Sequence, residues 1–221
     1  DYGLEAASDK LSKLKAGALF MRMGARKTKM ALDLIKNKQD DFDTVVWIAP
    51  ASFLGWDGYT KAIDENLEGL TKEICFFSIE SISCSDIRYL QLYALAERYR
   101  VFCVVDESIT IKNTEAGRTK RLLLMRNMFD YRLILSSLPL TQGLVDLYSQ
   151  IEFMHPSVLN MSETQFLNTY LSPYDDGTTR KWSKPENEKI LIEQMRPFIF
   201  QCDLELSLIH ISEPTRQAEI S

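Results

Sequence analysis

Five short apolar runs, rich in β-branched and aromatic residues, punctuate the first two thirds of the chain. They are Ala16–Met21, Thr44–Ala49 (Thr-Val-Val-Trp-Ile-Ala), 73–78 (Glu-Ile-Cys-Phe-Phe-Ser), Val101–Val105 and 131–135 (Tyr-Arg-Leu-Ile-Leu). Polar and apolar positions do not alternate in them as they do in a strand with one wet face. Near-continuous runs suit strands covered on both faces, the signature of a parallel sheet. Helical patterns fill the intervals. Met30, Ala31, Leu34 and Ile35 share a face within Lys27–Lys36, and Ile87, Leu90, Tyr93 and Ala94 do so within 85–98. In 114–128 the basic residues Arg118, Lys120, Arg121 and Arg126 oppose a Leu/Met-rich side, and 143–153 and 186–195 complete the series. Residues 172–185, with Pro, Asp, Gly and Thr, read as an exposed loop. Strand and helix in alternation predict a three-layer α/β domain, a mostly parallel central sheet with right-handed crossovers and helices on both faces. Such sheets bind ligands at the carboxyl ends of their strands.

Composition narrows the function classes. With 45% apolar and 26% charged residues the chain supports a packed core. A net charge of −5 argues against binding through bulk positive charge, though not against a local basic groove. The four cysteines form no Cys-x-x-Cys pair and there are two histidines, which disfavours structural zinc, a disulfide framework and histidine-based nucleophilic triads. His155, in Phe-Met-His-Pro, reads as a helix end, and Cys75 and Cys103 as small buried residues. A reduced compartment fits, and the expected location is cytoplasmic. No apolar run is long enough to span a membrane. The first residue is Asp rather than Met, and 206–221, beginning Leu-Ser-Leu-Ile-His-Ile-Ser-Glu-Pro-Thr-Arg, resembles a translated sequencing-library adapter. The expected organisation is one N-terminally incomplete lobe over 1–205 followed by a non-native tail.

Two strand ends carry chemistry. After the first run comes Met23-Gly24-Ala25-Arg26-Lys27-Thr28, opening a helix. A phosphate site needs amides at a helix start, a lysine for the anionic oxygens and a hydroxyl for Mg²⁺. Lys27 and Thr28 supply the last two, while Arg26 and Met21 stand where the usual loop has glycine. After the fourth run comes Asp106-Glu107, a pair expensive to place at the end of an apolar strand without a cation or a task. Each motif alone has an ordinary alternative, a basic helix start or a solvated acidic turn. Their joint position at two strand ends of one alternating α/β pattern favours nucleotide binding.

Further segments carry a resemblance. Gly24 to Thr28 stands where motif I stands in Swi/Snf-type superfamily 2 helicase-like ATPases, and Ile48-Ala49-Pro50-Ala51-Ser52 is similar to motif Ia. Ser78-Ile79-Glu80-Ser81-Ile82 resembles the segment before motif II, and Val104-Val105-Asp106-Glu107-Ser108 with Ile111-Lys112-Asn113 resembles motif II and its extension. Tyr131 to Leu140, containing Ser136-Ser137-Leu138-Pro139, resembles motif III; Asp146-Leu147-Tyr148-Ser149-Gln150 and Met195-Arg196-Pro197-Phe198-Ile199 resemble the stretches that follow it. The chain is thereby identified with the first RecA-like P-loop lobe of that family, its compact phage or bacterial members being most similar.

The resemblance implies ATP and Mg²⁺ as cofactors and double-stranded DNA as partner. Gly24, Ala25, Arg26, Lys27 and Thr28 would cradle the nucleotide, with Lys27 on the β- and γ-phosphates. Thr28 and Asp106 would hold Mg²⁺, and Glu107 would orient water. Pro50, Ala51, Ser52, Glu80 and Ser81 would face the DNA backbone without reading sequence, and Lys112 and Arg118 would add charge there or form a solvated helix face. Ser136, Ser137 and Pro139 would couple the two sites. Turnover would need a second RecA-like lobe and its arginine finger, worth about 10³–10⁵ in rate. Three positions depart from the family: Arg26 for Gly, Ile109 for the His that many relatives carry, and Leu138 for Thr. They keep open a degenerate lobe that binds DNA or protein without hydrolysis. An AAA-type ATPase is disfavoured by Ile111-Lys112-Asn113, and a non-enzymatic α/β module would make both motifs accidental.

Overall fold

The computed structural model describes residues 10–11, 13–22, 26–141, 143–173, 181–183 and 185–202. Gly24, Ala25 and the tail 206–221 lie outside the described residues. The predicted runs become strands β1 (Ala16–Met21), β2 (Thr44–Ala49), β3 (Ile74–Ser78), β4 (Val101–Val105) and β5 (Tyr131–Ser136). Two short strands, β6 (Leu171–Pro173) and β7 (Lys181–Ser183), pair antiparallel where a plain loop is expected. β8 (Ile199–Cys202) closes the series, and the main sheet has six strands in the order β3-β2-β4-β5-β1-β8. Every pairing in that sheet is parallel, so all its carboxyl ends lie along one rim.

The unbroken apolar runs have a direct packing reason. Successive side chains of a strand point to opposite faces, and on β1, β2, β4 and β5 both faces are dry; β3, at the sheet edge, buries Phe77 and leaves Phe76 exposed. On β2, Val46 and Ile48 join one core while Val45, Trp47 and Ala49 join the other; on β4, Val101, Cys103 and Val105 separate from Phe102 and Val104 in the same way. Helices α1 (Lys27–Lys36), α2 (Ala51–Leu54) and α3 (Asp57–Asp64) serve the second core. Helices α4 (Ile79–Cys84), α5 (Asp86–Arg98), α6 (Gly117–Met125), α7 (Tyr148–Met154), α8 (Glu163–Tyr170) and α9 (Pro185–Met195) serve the first. Crossovers that run one way along the sheet carry helices on one face, and those running back carry them on the other, as a uniform crossover hand requires.

Helix α1 buries the expected Met30, Ala31, Leu34 and Ile35. Helix α5 reverses the expectation: Ile87, Leu90 and Tyr93 are exposed, while Leu92 and Ala96 are buried with Tyr89 and Leu95 packed beside them. Its two apolar stripes both satisfy helical spacing, and docking on α4 selects between them. The helix expected over 114–128 is shorter, ending in a 3₁₀ turn at Arg126–Met128. Of its basic residues Lys120 is exposed, but Arg118 and Arg121 are half-buried and turn to internal acceptors. Arg118 Nε donates to the Thr110 carbonyl at 2.7 Å, and Arg121 donates to the Ile82 carbonyl at 2.8 Å and pairs with Asp86. His155 closes α7, and Cys103 is fully buried while Cys75 is half-buried. Among the described residues no helix is long and apolar enough to cross a membrane.

Candidate functional site

Four chain segments meet at the carboxyl rim of the sheet. Arg26 to Lys29 open α1 after β1; Phe53, Trp56, Tyr59, Ala62 and Asn66 follow β2; Asp106 and Glu107 follow β4; Ser137 follows β5. Together they line one cavity of about 440 Å³. Chains leaving neighbouring β1 and β5 turn to opposite faces, as do those leaving β2 and β4, and crevices open at such points. The topology thus brings Lys27 and Thr28 to Asp106 and Glu107.

Arg26 caps α1 with φ 59° and ψ 32°, the left-handed region. This is the conformation for which glycine is suited, because a side chain there meets its own backbone. Its carbonyl accepts the first helical bond from the Met30 amide at 3.0 Å. Glu107 is left-handed as well, at φ 53°. Two such residues on one cavity fit the tendency of backbone strain to gather at functional sites.

The charges are held in a partly dry setting. Burial pulls the Lys27 ammonium below the usual lysine range, and Glu107 and then Asp106 oppose that pull. Asp106 is 4% exposed, and burial pushes its carboxyl up against the hydrogen bonds it accepts. One oxygen, Oδ2, accepts from the Tyr59 hydroxyl at 2.5 Å; the other, Oδ1, accepts from the Glu107 amide at 2.9 Å. Burial also pushes Glu107 up, with Lys27 opposing and Asp106 adding to the rise. The Ser137 hydroxyl sits 3.4 Å from both Glu107 oxygens, long for a hydrogen bond.

These donors suit magnesium. Among the described residues no three His, Cys, Asp or Glu side chains cluster to hold a metal unaided. Magnesium asks less of the protein, typically one or two carboxylates with phosphate and water oxygens completing its shell. Asp106 and the Thr28 hydroxyl on a shared cavity match that demand.

The loop after β5 is tied to the segment after β4 by a buried network. The Ser108 hydroxyl donates to Gln150 Oε1 at 2.6 Å, and Gln150 Nε2 donates to the carbonyls of Pro139 at 2.9 Å and Asp146 at 2.7 Å. Ser149 Oγ donates to the Ile111 carbonyl at 2.5 Å. Lys112 pairs with Asp146 at 3.4 Å and donates to Thr141, so its charge is spent inside the protein. Ser136 and Pro139 are buried, and the Ser136 hydroxyl accepts from the Leu138 amide at 3.2 Å.

The segments assigned to DNA lie on the same rim, at the ends of β2 and β3. Glu80 and Ala51 touch: the Ala51 amide donates to Glu80 Oε2 at 2.8 Å. Ser81 closes a local turn, its hydroxyl donating to the Ser78 carbonyl at 2.8 Å and its amide to the Ser78 hydroxyl at 3.0 Å. Pro50 is buried and Ser52 exposed. Two of the expected phosphate donors therefore have internal acceptors.

Tyr59, Trp56, Phe53 and Gln150 were not among the sequence candidates. The aromatic cluster directly after a strand end was a usable signal for the first three. Nothing in sequence spacing pairs Tyr59 with Asp106 or Gln150 with Ser108.

Known proteins place the chain in a family. A family model described as the SNF2-related domain matches residues 60–202. The TATA-binding protein-associated factor mot1 of Aspergillus fumigatus is 31% identical over 106 residues, 45% of this chain and 5% of that protein. The SWI/SNF chromatin-remodeling complex subunit snf22 of Schizosaccharomyces pombe is 32% identical over 107 residues, 46% of this chain and 6% of its own. The match thus spans a small part of the curated relatives' length. The fold is shared with a solved structure, the Sulfolobus solfataricus SWI2/SNF2 ATPase core in complex with dsDNA, at TM-score 0.66 and 19% identity, covering 91% of this chain and 43% of that one. With more than half its length matched by that model, and a six-stranded parallel sheet of RecA-like layering, the chain belongs to the SNF2-related domain family.

Proposed function

We infer that the chain is the nucleotide-binding lobe of a DNA-dependent ATPase that moves along duplex DNA. One observation carries this reading: Lys27 and Thr28, from one end of the chain, share a cavity with Asp106 and Glu107 at the carboxyl rim of a parallel sheet. Lys27, its ammonium partly stripped of water, is set to meet the terminal phosphates of ATP. Thr28 and Asp106 would hold Mg²⁺, which when bound neutralises phosphate charge and polarises the transferred group. Glu107 holds its carboxylate between Lys27 and Ser137, and burial makes it a better base for orienting water. Gly24 and Ala25 would add amides to the cradle. The DNA backbone would lie across the ends of β2 and β3, at Pro50 to Ser52 and Glu80-Ser81, the Glu80 carboxylate yielding the Ala51 amide to a phosphate. Ser137 and the Gln150 network supply a path from that rim to Glu107, with Ser136 and Pro139 in the connecting loop. Turnover by the lobe alone would be slow, since an arginine from a second lobe is worth about 10³–10⁵ in rate. Support for the DNA partner comes from the family and from the dsDNA complex of the structural relative.

The test is equilibrium binding of a fluorescent ATP analogue with Mg²⁺. Wild type is expected to bind, and Lys27→Ala to lose at least about tenfold, the effect of a charge-assisted contact worth about 1.5–3 kcal/mol. Equal binding by the two proteins refutes the reading. A second reading, a lobe that no longer hydrolyses, is favoured by Arg26, whose side chain borders the cavity where glycine would leave room.

A further inference from the structure

Three buried groups from three elements form a directed chain into the candidate metal site. The Trp47 indole Nε1, on β2, donates to the Tyr59 hydroxyl, on α3, at 2.8 Å; that hydroxyl donates to Asp106 Oδ2, after β4, at 2.5 Å. Trp47 is 0% exposed, Tyr59 8% and Asp106 4%. The direction follows from chemistry. An indole N–H only donates, so the tyrosine oxygen must accept it and the single hydroxyl proton is left for the carboxylate. The Glu107 amide holds the other oxygen, Oδ1, from the far side. Two donors on different oxygens fix the plane of the carboxylate, while each oxygen keeps a further acceptor site. Tyr59 and Asp106 both line the cavity, so the fixed carboxylate belongs to the space a nucleotide would fill.

We propose that Tyr59 is a positioning residue for the divalent cation, locking Asp106 in the orientation that receives the metal, with Trp47 holding Tyr59 in turn. This rests on the reading that the cavity binds a magnesium nucleotide. Groups that orient a metal ligand through a hydrogen bond typically change metal affinity about 10–100-fold when removed. A hydroxyl that merely pinned α3 to the sheet would act on all binding alike.

The experiment is binding of a fluorescent ATP analogue to the 221-residue chain in Mg²⁺ and in EDTA, with bound Mn²⁺ read by electron paramagnetic resonance in the presence of the nucleotide. Tyr59→Phe is expected to weaken Mg²⁺-dependent binding and Mn²⁺ retention by about tenfold, well beyond any change in EDTA. Trp47→Phe is expected to move the same arm less, and it carries the test if the Tyr59 variant fails to fold. A full Mg²⁺ gain in both variants overturns the proposal, as does an equal loss with and without the metal. Absence of any Mg²⁺ gain in wild type, or an Asp106→Asn variant that keeps it, removes the nucleotide reading instead and takes this proposal with it.

Discussion

Arg26 offers the sharpest test of how this cavity is built, because one position combines backbone strain with a side chain that lines the candidate site. Its φ of 59° places it in the left-handed region, which costs a non-glycine residue about 1–2 kcal/mol. Arg26→Ala removes the bulk and keeps the strain. Arg26→Gly removes both, and gives back about 0.4–1 kcal/mol through the greater freedom of the unfolded chain. The glycine variant should therefore exceed the alanine variant by on the order of 1 kcal/mol, or roughly 2–4 °C in melting temperature for a domain of this size. Thermal melts followed by circular dichroism measure this directly, and a glycine variant melting at or below the alanine variant refutes the strain argument. Nucleotide binding by the same proteins reports on the side chain. Tighter binding in both variants shows that Arg26 obstructs the cradle, and a large gain in the glycine variant supports the non-hydrolysing reading. Weaker binding in both makes the guanidinium a phosphate ligand and leaves that reading without its footing.

Two further outcomes follow from the buried polar groups. Gln150→Leu keeps volume but strips the Ser108 hydroxyl and the carbonyls of Pro139 and Asp146 of their partner. Unpaired buried groups of this kind cost about 1–3 kcal/mol each, so urea unfolding should show a loss of about 3 kcal/mol or more; a loss below about 0.5 kcal/mol, the range of surface changes, contradicts the network. Glu107 gives a pH signature. Burial raises its carboxyl above the ordinary value of 4.5, so its contribution is present below that value and is lost as pH rises through the raised one. Glu107→Gln should therefore melt above wild type at neutral pH, with the gap closing below the ordinary carboxylate range. A gap that stays constant with pH, or opens in acid, contradicts this assignment.

The inner strands were legible because burial on both faces leaves the same mark at every position. Val45, Val46, Trp47, Ile48 and Ala49 are all buried, so no pattern had to be disentangled. Helices with one wet face were harder. In α5, Ile87, Leu90 and Tyr93 form as regular a stripe as the buried side does, and only the neighbouring helix distinguishes them. Helix α3 gave little warning, being eight residues long with Gly58 in its first turn.

Lys27-Thr28 and Asp106-Glu107 were readable because charged residues at the ends of apolar strands need a reason to be there, and strand ends are local features. Tyr59 was not, since a tyrosine bonds to whatever acceptor folding brings near, and the Asp106 carboxylate arrives from a different part of the chain. The left-handed backbone of Arg26 was likewise invisible, although the glycine of the usual phosphate loop hinted at it. Composition and patterning along the chain settled the layers and the parallel strands, because each depends on where one segment buries its own surface. Which groups share a cavity, which cations are spent on internal acceptors and which carboxylate is locked depend on contacts between distant segments, and those exist only once the sheet has ordered its strands.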